Sequence, residues 1–236
     1  MNNEDDSYYS VLLHLFIINY MVIVIPILGL IVGYIVHFVY HPKVFRSFPY
    51  ITDLMQYQPE GKTVNIALSI TSLVLLIINY TRIKAIRVLR RLKPKMSEKK
   101  YKHAMMTLTI SGYISVAAHF LMTFFSSKEF YIPHSIFLNI TYISGVVNMF
   151  ATDITLKTIY LSSKNFSRVL SMISFAVVLS FVTLRYFVPL DSEDTIRLTI
   201  ANLFGIFAYI CYYLKFFLVK YDIPDIGIRI SQRIKI

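Results

Sequence analysis

Four histidines, two carboxylates and an arginine are the residues of this chain best suited to act together chemically. In the topology derived below, His37, His41, Asp53, Glu60, His119, His134 and Arg185 all approach one side of a membrane. Imidazoles and carboxylates converging on a cavity could hold a metal ion, or perform acid–base chemistry on a lipid headgroup. None of them falls in an H-E-x-x-H or other defined ligand spacing. No metal or other cofactor is therefore expected, and no catalytic residue is assigned. The plainer expectation is that Asp53 or Glu60 pairs with Arg185 or Arg197 and pins the intervening loop to the helices. Binding of a lipid headgroup or a membrane partner through Asp53, Pro59, Glu60, His134 and Arg185 stands beside it, as does catalysis. Residue type and spacing leave all three open.

A second group is defined by charge. Ten Lys and Arg lie between Arg82 and Lys102, against one acid, Glu98. Arg82, Lys84, Arg87, Arg90, Arg91 and Lys93 open this run directly after an apolar block. A basic cluster in that position is a cytoplasmic juxtamembrane loop before it is a nucleic-acid patch. Each such residue near an anionic leaflet contributes about 1 kcal/mol. The expected partners are membrane lipids, anionic phosphoinositides among them, or a membrane protein; nucleic acid is not expected. Asp153 and Lys157 stand four apart, where an i,i+4 ion pair is natural. His119 lies inside a span and reads as a hydrogen-bonding group in helix packing. Cys211 is the only cysteine, so no intrachain disulfide can form.

The elements that must carry these groups follow from composition. The chain is 56% hydrophobic and only 16% charged, where a soluble domain carries about 25% charged residues. The apolar residues fall in blocks of the length a bilayer core requires. Spans are predicted at 11–40, 63–81, 104–127, 131–160, 166–189 and 196–219, forming one all-α, six-helix membrane domain over residues 1–236. The basic run after span two, Lys157, Lys164 and Arg168 after span four, and Arg229, Arg233 and Lys235 in the tail place both termini in the cytoplasm. The acidic start and the length of the first block fit a retained span and not a cleaved signal peptide. Gly29 and Gly33 form a G-x-x-x-G pair, expected to serve close packing within the molecule. A transporter is disfavoured because Asp153 is the only acid within a predicted span and no inverted repeat is visible.

The loop after span one, His41 to Lys62, reads HPKVFRSFPYITDLMQYQPEGK. Pro49 and Pro59 restrict its backbone, as a structured loop needs. The run Pro49-Tyr50-Ile51-Thr52-Asp53, then Pro59-Glu60, then Asn65 early in span two, resembles the first lumenal loop of the DRAM/Frag/Sfk family. His134 with Gly145, the Tyr221-Asp222 ending and the six-span plan resemble that family too. The cysteine common after its Pro-Glu pair is replaced by Gly61-Lys62-Thr63. Its glutamate near the start of span six is absent, with Asn202 the nearest polar residue. The resemblance implies a multi-pass protein of an endomembrane (lysosome or Golgi) or the plasma membrane. It further implies a non-enzymatic modulator of autophagy, lysosomal or phosphoinositide-linked processes that binds lipid or a membrane partner. The alternative it implies is a GPI-anchor lipid-remodelling protein acting on a headgroup or acyl chain.

Overall fold

A computed structural model describes residues 3–41, 48–92, 98–125, 129–159, 165–187 and 195–222; within these, side chains at 3–16, 88–89, 91–92, 157–159, 165, 186–187 and 219–222 are not described. Helix α1 spans Asn3–Tyr40, the single turn α2 Ile51–Leu54, α3 Glu60–Leu92, α4 Glu98–Phe124 and α5 Tyr131–Ile159. Helix α6 spans Asn165–Val182 and runs into a π-helical turn, Thr183–Phe187, before α7 at Thr195–Asp222. Six of these helices are long and apolar enough to cross a membrane, and the described residues contain no strand. Lipid offers backbone amides no hydrogen-bond partners, so a crossing segment must satisfy them within itself. The all-α, six-helix reading of the sequence therefore holds.

The helices pair along the chain. α1 packs chiefly on α3, α4 on α5, and α6 on α7. α5 and α7 are the most enclosed of the six, and α1 is the most peripheral, with 28% of its apolar window buried. Gly29 and Gly33 serve the contact between α1 and α3. Gly29 faces Ala67, and a Cβ on Gly33 would come within 2.5 Å of Val64. The two glycines are thus used inside the molecule. Pro26 is accommodated within the continuous α1. Buried hydroxyls turn back on their own helices; Thr71 donates to Ala67 O at 2.7 Å and Thr109 to Met105 O at 2.7 Å.

The largest departure from the expected boundaries follows span two. The second span was expected to stop at residue 81, with a loop following, yet α3 continues to Leu92 and α4 begins at Glu98. Lys and Arg are good helix formers, and exposed Lys84 and Arg87 extend their charges outward from a helix that needs no apolar surface there. Most of the basic run is therefore helical. Lys93 lies outside the described residues, as does the side chain of Arg91.

A candidate lipid-facing mouth and a polar interior

The loop between α1 and α3 closes one end of the bundle, and its first half is built around Asp53. Tyr50 caps α2, and Asp53 Oδ2 accepts the Tyr50 N–H at 2.9 Å while the Asp53 N–H donates to Tyr50 O at 2.9 Å. A carboxylate three residues after the cap closes this reciprocal pair, which accounts for the Tyr-Ile-Thr-Asp spacing. Burial raises the Asp53 carboxyl above its ordinary pKa, opposed by the Tyr50 amide and by the charges of Arg185 and His134.

Three bonds fasten the loop to the helices. Tyr34 OH donates to Pro49 O at 2.9 Å, Phe48 N–H to Thr199 Oγ1 at 3.2 Å, and Asn202 Nδ2 to Phe48 O at 2.8 Å. Tyr50 then enters the bundle, where its hydroxyl lies 2.5 Å from that of Tyr142 and its ring 5.3 Å from Phe181. Gly205 makes this possible, since a Cβ there would come within 2.5 Å of the Tyr50 ring. Tyr142 OH is also 3.0 Å from Gly205 O.

Glu60 opens α3 and is fully buried. Its Oε1 lies 3.0 Å from His37 Nδ1, in the last turn of α1, and 3.6 Å from His41 Nε2, just past the end of that helix. The pairing of Glu60 with Arg185 or Arg197, expected from residue type, gives way to these two histidines. The reason is position: α3 leans on α1, which puts the first turn of α3 beside the end of α1. Glu60 is thus a second acid enclosed by a spanning helix, beyond the Asp153 recognised in the sequence.

Arg185, in the π-helical turn, lies 3.5 Å from Asn202 Oδ1 and acts on Asp53 through its charge. His134 is buried and donates its Nδ1–H to Phe125 O at 2.7 Å. Asp53, His134 and Arg185 thus influence one another, Glu60 belongs with His37 and His41, and exposed Pro59 shapes the turn between them. Among the described residues, no three His, Cys, Asp or Glu are arranged to hold a metal ion.

The family model described as the Frag1/DRAM/Sfk1/Cwh43P N-terminal domain matches residues 14–226. The chain belongs to this family. No curated protein and no solved structure matches it. In this Frag1/DRAM-family chain, Asn202 stands near the start of the last helix and ties that helix to the loop through Phe48.

Below the mouth the Frag1/DRAM-family bundle surrounds His119 with polar partners that residue type alone did not single out. Ser72 Oγ lies 2.6 Å from His119 Nδ1, and His119 Nε2 lies 2.7 Å from Tyr213 OH. Ser115 Oγ and Tyr212 OH are 2.8 Å apart, and a Cβ on Gly145 would come within 2.8 Å of the Tyr212 ring. A serine held by a histidine, itself held by a third group, is the arrangement of an activated nucleophile. Here the serine also donates to Leu68 O at 2.9 Å, and Ser72, His119 and Tyr213 are each at most 3% exposed. That enclosure suits helix packing, the role the sequence gave His119.

Two cations lie deeper still. Arg82, expected in the exposed basic run, is 1% exposed. It donates to Asn79 Oδ1 at 2.5 Å, Asn148 Oδ1 at 2.6 Å and Thr152 Oγ1 at 3.1 Å, and its guanidinium stands 5.0 Å from the Phe216 ring centre. The correction is one of rotation: Arg82 faces the bundle, whereas Lys84 and Arg87 face outward. Asp153 is held by Lys215 on α7, whose Nζ is 2.5 Å from Oδ1 and also reaches Ser167 Oγ at 2.6 Å and Ser171 Oγ at 3.0 Å. The expected partner, Lys157, has its side chain outside the described residues. The signal in the sequence is that Lys215 is a cation deep inside an apolar block, well away from Arg197 at its start. Arg90, largely buried, stacks on Tyr101 at 5.0 Å and lies 3.7 Å from Glu98.

Proposed function

We propose that this Frag1/DRAM-family protein is a non-enzymatic modulator of an endomembrane, lysosomal or Golgi, or of the plasma membrane. Its activity is to hold a hydroxyl-rich lipid headgroup, of the inositol type, at the mouth closed by the 48–60 loop. Both termini and the basic helix ends face the cytoplasm in this reading, and the mouth faces away from it.

The observation that carries the proposal is Glu60. Its carboxylate is fully buried, yet Oε2 has no hydrogen-bond partner among the described residues, and Oδ1 of Asn65 on the same helix is in the same condition. A buried acceptor left without a donor costs about 1–3 kcal/mol, more when charged. Headgroup hydroxyls are donors that arrive from outside and remove that cost. The resemblance of the loop to proteins of autophagic and phosphoinositide-linked membranes agrees with such a ligand.

The remodelling alternative, action on a GPI lipid, has the Ser72–His119 contact in its favour and the commitment of the Ser72 hydroxyl to Leu68 O against it. Native mass spectrometry of the full chain in mild detergent, with a panel of phosphoinositide and GPI lipids, separates the readings. Retention of an intact inositol lipid is expected. Deacylation of a GPI lipid would put the enzyme first, and retention of no inositol lipid would overturn the proposal.

A further inference from the structure

A groove distinct from the mouth opens on the lipid-facing side of the bundle between α4 and α5. It is an open groove with a volume of about 470 Å³, within the range of small-molecule sites, roughly 300–1,000 Å³. Met106, Ile110 and Ile114 form one wall, and Ile140, Ile143 and Val147 the other. Three hydroxyl residues line it, Thr107, Ser111 and Ser144, and the two serines are already committed. Ser111 Oγ donates to Thr107 O at 2.6 Å and takes a bond from Asn148 Nδ2 at 3.3 Å, and Ser144 Oγ donates to Ile140 O. The groove therefore offers a hydrocarbon ligand a full lining and offers a polar ligand almost nothing.

What distinguishes it from any other lipid-facing crevice is the charge at one end. Lys102, Met106, Ile110 and Ile114 recur every four residues and so share one stripe of α4. Lys102 and His103 stand one turn beyond the end of the groove and Lys99 two turns beyond it, all exposed. The His103 Nδ1–H is used on Lys99 O at 2.8 Å, so the two lysines supply the positive charge here. The one acid here, Glu98, is 67% exposed and only 3.7 Å from Lys102, a weak surface pair. The start of a 27-residue helix adds its positive dipole end to the same place.

We propose that this groove binds an anionic glycerophospholipid of the leaflet on the basic side. One acyl chain lies between α4 and α5, and the phosphate-bearing headgroup lies on Lys99 and Lys102. The assignment does not rest on the mouth at Glu60: it involves other helices and the opposite end of the bundle.

The chain contains no tryptophan, so an introduced one reports alone. Ile143→Trp and Met106→Trp place it on opposite rims, at positions 61% and 57% exposed; Leu179→Trp places it on α6, at a position 54% exposed. The full chain is reconstituted in phosphatidylcholine vesicles containing a minor share of phosphatidylserine or phosphatidylcholine with brominated chains. Brominated phosphatidylserine should quench both rim tryptophans more than an equal share of brominated phosphatidylcholine, and Leu179→Trp should not distinguish them. Lys99→Gln and Lys102→Gln should each weaken the preference about fivefold, and Glu60→Gln should leave it unchanged.

Equal quenching by the two lipids at both rims would overturn the proposal. The same preference at Leu179→Trp would overturn it too, by showing general enrichment around the protein. Stronger quenching by brominated cholesterol than by either phospholipid would assign the groove to a sterol instead.

Discussion

Lys215 Nζ lies 2.5 Å from Asp153 Oδ1, with both side chains enclosed where α5, α6 and α7 meet. Both charges are largely withdrawn from solvent, so each depends on the other and on Ser167 and Ser171. Removing one partner leaves an uncompensated charge, a loss of about 3–5 kcal/mol. Lys215→Met and Asp153→Leu should each sharply lower the thermal midpoint of the detergent-solubilised protein. The double variant should recover most of the loss, because a buried ion pair replaced by packed apolar groups is often neutral. A double variant no better than the singles would show that the pair has a role beyond mutual neutralisation.

Tyr50 fastens the mouth to the core. Tyr50→Phe removes the hydroxyl contact with Tyr142 and should cost about 0.5–1.5 kcal/mol, whereas Tyr50→Ala empties the space beside Gly205 and Phe181 and should cost about 3–5 kcal/mol. Limited proteolysis reads the consequence at the loop. Cleavage between residues 48 and 59 should be fast in Tyr50→Ala and close to wild type in Tyr50→Phe. Equal resistance in all three would mean that Tyr34, Thr199 and Asn202 hold the loop without it.

Asp53 gives the loop a pH dependence with a defined sign. Its carboxyl has a raised pKa in the folded protein, chiefly through burial, so the folded state binds the proton more tightly than the unfolded state does. The cost of the charged form is absent below the unfolded value, about 3.9, and grows as pH rises towards the folded value. Stability contributed at this site therefore falls with rising pH across that acidic window. Asp53→Asn keeps an acceptor for the Tyr50 N–H and loses the titration. The wild-type midpoint, measured relative to Asp53→Asn, should decline as pH rises through the window. A flat difference would mean that the charges of Arg185 and His134 offset burial fully.

How much of this was legible depended on whether a feature is local. Span number and helical state follow from apolar block length, and the Tyr50–Asp53 spacing is a cap written within four residues. Gly29 and Gly33 were read correctly as a packing surface because small residues one turn apart leave a groove whatever the partner. The partners of charged groups were not local. Glu60 meets His37 because α3 leans on α1, and Asp153 meets Lys215 because α5 and α7 occupy the centre; neither fact is present in residue spacing. Arg82 was placed with its basic neighbours by sequence and away from them by the 100° turn per residue of a helix. Its acceptors, Asn79 and Asn148, are polar residues inside apolar blocks, a signal that would have pointed to a buried cation.

The most direct test of the central claim is retention of phosphatidylinositol by the wild-type chain and by Glu60→Gln in native mass spectrometry, with Asn65→Leu as a second variant that spares the His37 contact. A hydrogen bond to a charged acceptor contributes about 1.5–3 kcal/mol, so Glu60→Gln should weaken retention roughly 10- to 100-fold, and Asn65→Leu less. Retention unchanged in both variants would contradict the assignment of the mouth as a headgroup site and leave Glu60 a purely structural partner of His37.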